Sequence, residues 1–152
     1  MRVQVFAAAL AVVFTGSAIA FAATGTRVQA RPDLIVGSIS NPPSVVFRGH
    51  TFQVRDRTRN RGRATGGRTV TQYYLSGNGA RERVGRRSVP RLRAGLSSSG
   101  AGIVLAPSAL GVGTYSLVAC ADGGRAVRES NERNNCRTAA MKVVIKQPPP
   151  PA

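Results

Sequence analysis

The stretch Thr114–Lys146, TYSLVACADGGRAVRESNERNNCRTAAMKVVIK, holds both cysteines of the 152-residue chain. Its two flanks alternate with a period of two, the repeat of a strand whose side chains point to opposite faces. In TYSLVACA, Tyr115, Leu117, Ala119 and Ala121 share one face, and Ser116, Val118 and Cys120 the other. In CRTAAMKVVIK, Ala139, Met141, Val143 and Ile145 form the apolar face. Cys136 falls with Thr138, Lys142 and Lys146 on the wet one. Each cysteine therefore lands on the outward side of its own strand. This predicts a disulfide, Cys120–Cys136, on the surface of an antiparallel pair. Chain-entropy models give ~3 kcal/mol for a loop of that size.

Asp122, Glu129, Asn131, Glu132, Asn134 and Asn135 lie between the two cysteines, and they admit two readings. In the first the loop caps itself: Ser130 is an N-cap, the acids occupy a first turn, and Asn134 or Asn135 takes a left-handed exit. In the second these oxygens form a weak calcium loop. Calcium takes six to eight oxygens, yet the spacing is not D-x-D-x-D-G, and Arg125, Arg128 and Arg133 compete for the carboxylates. Capping uses every side chain locally and is the expectation. Zinc is excluded on ligand count, because two thiols without a nearby histidine cannot fill its shell.

The same period of two continues upstream. It predicts strands at Asp33–Ser40, Thr51–Arg59, Thr69–Ser76, Val84–Leu92, Ser99–Ala106, Thr114–Ala121 and Arg137–Lys146, separated by Asn-, Gly- and Pro-rich turns. The expectation is one all-β domain over residues 31–146, followed by a Pro-rich tail, 147–152. Residues 1–23 have a basic start, an apolar run and A-x-A patterns, the layout of a cleaved signal peptide. An uncleaved membrane anchor is the alternative. Export also suits a disulfide.

The chain carries 22 Lys+Arg against 6 Asp+Glu, a net +16, and all the cations but Lys142 and Lys146 are arginine. Such an excess predicts an anionic partner or environment. In TFQVRDRTRN, Phe52 and Val54 point inward, while Arg55, Arg57 and Arg59 alternate on the outer face. Arg61 and Arg63 continue the series, and Arg86 and Arg87 belong to a second cluster. Guanidinium groups suit bidentate contact with phosphate, sulfate or carboxylate. Asp56 has inward parity and needs a partner there: an arginine, backbone amides, or a bulge. Catalysis has little to build on. His50 is the sole histidine and sits in a polar turn, and Glu129 and Glu132 lie in a surface loop.

An ordered series of short motifs resembles the CARDB domain, the cell-adhesion-related domain found in bacteria. It runs Pro32-Asp33-Leu34, Asn60-x-Gly62, Tyr74-Leu75-Ser76, Leu92-x-x-Gly95, Gly113-Thr114-Tyr115, Asp122, and Glu129-Ser130-Asn131-Glu132-x-Asn134-Asn135. The resemblance implies an immunoglobulin-like antiparallel β-sandwich of about seven strands, exported and without a reaction of its own, with Tyr115 as a tyrosine corner. The chain has no Trp, and its cysteines join neighbouring strands, so antibody-like binding loops are not carried over. The expected function is binding or adhesion through a basic face. The expected partners are an anionic polysaccharide, lipopolysaccharide or an acidic surface protein. Nucleic acid is less favoured because stacking aromatics are scarce. A structural spacer without a ligand is the alternative, and a calcium-stabilised carbohydrate-binding module ranks below both. No cofactor is expected.

Overall fold

The computed structural model describes residues 29–151, so the predicted leader, residues 1–23, lies outside the described residues. Eight strands follow one another: β1 Leu34–Ile39, β2 Val45–Phe47, β3 Thr51–Asn60, β4 Thr69–Gly77, β5 Ala80–Val89, β6 Ser97–Leu105, β7 Gly113–Cys120 and β8 Cys136–Lys146. Each predicted strand has its counterpart. The unpredicted β2 is three residues long and pairs parallel with the end of β8, too short to register as a pattern.

The strand order is β1-β3-β6-β5-β4-β7-β8-β2. A single pairing, Gly85 with Val104, joins β6 to β5. The sheet curls at that seam, and β1 comes to lie against β7 and β8 across the core. At Asn78-Gly79, between β4 and β5, both φ angles are positive (50° and 75°), which matches the twist a tight hairpin requires. Strict alternation along β3 buries Phe52, Val54, Asp56, Thr58 and Asn60. Leu34, Tyr73, Leu75, Leu117 and Val143 meet them inside, each fully buried.

Two parity readings are corrected. Met141 is 59 % exposed, because a register shift sets three residues, 139–141, opposite the single Leu117. Such a bulge re-aims side chains while the ladder resumes on either side. Cys120 does pair directly across from Cys136 and is bonded to it, but Cys120 is only 5 % exposed. Arg81 covers it: the guanidinium lies 4.4 Å from the Tyr74 ring centroid and donates to Cys120 Sγ at 3.3 Å. The disulfide is therefore a cross-strand staple with one sulfur side roofed over.

Candidate functional site

Arg55, Arg57 and Arg59 stand exposed in one file on the outer face of β3. Their cross-strand neighbours on β6 are small: Ala101, Ser99 and Ser97 respectively. On the β1 side Ser38 faces Arg57 and Ile35 faces Arg59. One depression of about 510 Å³ holds Ser38, Ser40, Arg55, Arg57, Ser99 and Gly100 among its lining residues. A second, of about 490 Å³, is lined by Ile35, Gly37, Arg59, Arg61, Gly95 and Arg137. Arg63 lies with Arg61 in a third hollow beside Arg31 and Asp33. Arg86 is apart from all of these, sharing a shallow hollow with Arg83 and Gly85 on β5.

Arg87 does not belong to this surface. It shares parity with Val89 on β5 and is buried with it. Its Nη2 and Nε donate to the two oxygens of Asp56, at 2.6 and 2.8 Å. The Tyr73 hydroxyl donates to the same carboxylate, and Thr58 Oγ1 does so at 3.3 Å. The remaining guanidinium hydrogens reach Ser98 O, Ser98 Oγ and Ser88 O. The Asp56 bond holds Arg87 more firmly charged, and burial, followed by Asp56, raises the Tyr73 hydroxyl above its ordinary value. Two inward glycines of β6 make the room. A Cβ at Gly100 would stand 2.8 Å from Arg87 Cδ, and one at Gly102 would overlap the Tyr73 ring. This network answers the question raised by the inward parity of Asp56. An inward acid on one strand and an arginine in phase with Val89 on another was the available signal.

The loop between the cysteines caps backbone, by a different route from the local turn expected. The chain forms no helix there, and the left-handed residues are Asp122 and Arg125 (φ 45° and 50°), not Asn134 or Asn135. Asp122 accepts from the amides of Ala126 and Val127 and from the Thr69 hydroxyl. Glu129 is 3 % exposed and accepts from the Leu34 amide on β1 and from Asn135 Nδ2. Glu132 accepts from the Glu129 amide, and Asn131 from the Arg133 amide. Ser130 bonds to Pro32 O through its amide and its hydroxyl, rather than serving as an N-cap. Asn134 donates to Asp33 Oδ1. Burial pushes the Glu129 carboxyl up to about 7; Glu132 and Asp122 add to the rise, against the Leu34 amide and Asn135.

The scattered motifs thus converge on the start of β1. Asn60 accepts from the Asp33 and Gly62 amides and donates to Ala64 O and Leu92 O. A side chain at position 62 would run into the backbone of residues 31–33. An edge strand exposes unpaired amides, and this knot occupies that of Leu34 at the start of β1. These side chains tie backbone segments together. Tyr115 completes the tyrosine corner, its hydroxyl donating to Gly111 O at 2.9 Å. His50 is exposed, with Nδ1 3.2 Å from Arg48 O.

None of the curated proteins compared matches the chain. A CARDB domain of Pyrococcus furiosus, solved in complex with di-metal ions, shares 24 % identity and a TM-score of 0.53, covering 78 % of this chain and 96 % of its own. A Methanosarcina acetivorans domain gives 22 % and 0.53, covering 76 % and 93 %. At these identities the likeness shows the fold. A β-glucosidase of Erythrobacter marinus also matches, at 14 % identity and TM-score 0.52, over 76 % of this chain. Only 16 % of that enzyme's length is involved, so the match carries no glycosidase chemistry. The CARDB family model matches residues 31–139. The chain belongs to the CARDB domain family.

Proposed function

We propose that this domain is an exported, non-enzymatic binding or adhesion module whose basic surface meets an anionic extracellular or cell-surface partner. One observation carries the reading. Among the described residues Arg87 is the only cation with a carboxylate within 4.0 Å, and it is buried. Asp56, Asp122 and Glu129 are also buried. Half of the chain's six acids are therefore withdrawn from the surface, which is more basic than the composition implies. Such a surface attracts polyanions over a Debye length of about 8 Å at physiological salt.

Retention on heparin with a rising salt gradient tests this. Elution well above physiological ionic strength is expected; elution below it would leave a structural spacer as the better account. A calcium-stabilised carbohydrate module has less support. Asp122, Glu129 and Glu132 do offer oxygens within 4.8 Å of one another. Both oxygens of Asp122 and of Glu129, however, already accept protein donors.

A further inference from the structure

We propose that the outer face of β1, β3 and β6 is a track for an extended acidic polysaccharide, with Arg55, Arg57 and Arg59 as successive rungs and Arg137 as its far wall. The inference rests on the anionic-partner reading and assigns it one place and one ligand class.

The alternation of β3 sets its three arginines in a straight file, at roughly 7 Å intervals given the rise of a strand. The flanking positions are small, Ser97, Ser99, Ala101 and Ser38, except for Ile35 beside Arg59. The guanidinium groups therefore stand clear of their neighbours. The depressions around Arg55–Arg57 and around Arg59 follow each other along the strand. Only Asp56 contributes an acid to either lining, and its carboxylate is held on the inner side by Arg87.

Arg137 arrives from β8, at the other end of the sheet order. The β-bulge at Gly37 leaves that residue outside the β1–β3 ladder, and its carbonyl accepts Arg137 Nη1 at 2.8 Å. One edge of the guanidinium is fixed and the rest lines the hollow with Arg59 and Arg61. Two segments distant in sequence, 55–61 and the start of β8, thus present cations to one groove.

The lining also selects among polyanions. Single-stranded nucleic acid is held by aromatic platforms beneath its bases. The tyrosines are elsewhere: Tyr73 and Tyr115 are buried, and Tyr74 lies against Arg81 on β4. A bilayer surface would call on cations spread over a face, not on a file. Arginines for carboxylate or sulfate and serine hydroxyls for sugar hydroxyls suit an acidic glycan chain.

The test is calorimetry on the disulfide-intact protein with polyuronate oligosaccharides of increasing length, at physiological salt. Wild type should bind longer oligomers more tightly, until the chain spans Arg55 to Arg59. Arg55→Gln with Arg57→Gln should weaken binding at least tenfold, and Arg137→Gln severalfold. Lys142→Gln with Lys146→Gln removes the same charge from β8 and should change it less than threefold. All the substituted side chains are exposed, so the variants should fold, and a thermal melt of each checks it. Equal losses in the β3 and β8 variants would overturn the track while leaving a general basic surface standing. Tighter binding of single-stranded DNA of matched charge would overturn the ligand class. Failure of wild type to bind any of these polyanions, heparin included, would sink the anionic-partner reading itself.

Discussion

Replacing Arg87 by Met should be the most damaging single change on this protein's inner face. The substitution keeps much of the apolar stem and removes both donors to Asp56, at 2.6 and 2.8 Å, together with the contacts to Ser88 and Ser98. The Asp56 side chain is fully buried, so water cannot take the place of the guanidinium. Only the hydroxyls of Tyr73 and Thr58 would remain as donors. Breaking one partner of a buried pair costs about 3–5 kcal/mol. For a domain of this size that is a fall in Tm of roughly 10–20 °C. Replacing both partners, Asp56→Leu with Arg87→Met, removes the stranded charge and should recover all but about 1–2 kcal/mol. Urea unfolding of the wild type, both single variants and the double variant, with the disulfide intact, measures the coupling directly. A single variant within about 1 kcal/mol of wild type, or a double variant as unstable as the sum of the singles, would refute the reasoning.

Glu129 should make stability pH-dependent. Its carboxyl rises from 4.5 to about 7 on folding, so the native state holds the extra proton between those values. Stability is then greatest below the window and falls as pH rises through it, by up to roughly 3 kcal/mol. Urea midpoints at pH 5 and pH 8 should differ in wild type and much less in Glu129→Gln; equal slopes would count against the assignment. Gly102→Ala should cost about 1–3 kcal/mol by forcing the Tyr73 ring aside, measured as a shift in the urea midpoint with unchanged slope. Cys120→Ser with Cys136→Ser should cost about 3 kcal/mol without unfolding the domain, since the β7–β8 ladder and the Glu129 and Ser130 anchors persist. Circular dichroism and a thermal melt would show it. Calcium titration should leave Tm within about 1 °C, because amide and hydroxyl donors already occupy the carboxylates of Asp122 and Glu129, each bond being of the ~1 kcal/mol class. A larger shift that disappears in Glu132→Ala would reassign the loop to cation binding.

Strand alternation and turn residues were enough to read from sequence the all-β class, the seven longer strands, the Cys120–Cys136 bond and the outward arginines of β3. These are local properties: side-chain period is two wherever a strand forms, and Gly, Asn and Pro mark where it ends. What the tertiary structure decided is which distant side chains meet. Asp56 and Arg87 are 31 residues apart, and only the curling of the sheet at Gly85–Val104 brings β3 over β5. The same closure turns Glu129 from a surface acid into a cap for β1, 95 residues away, and carries Arg137 to the groove beside Arg59. It also removes Arg87 from the basic face that composition suggested, and encloses Cys120 beneath Arg81. Period determines the face a side chain takes; only the packed fold determines what that face meets.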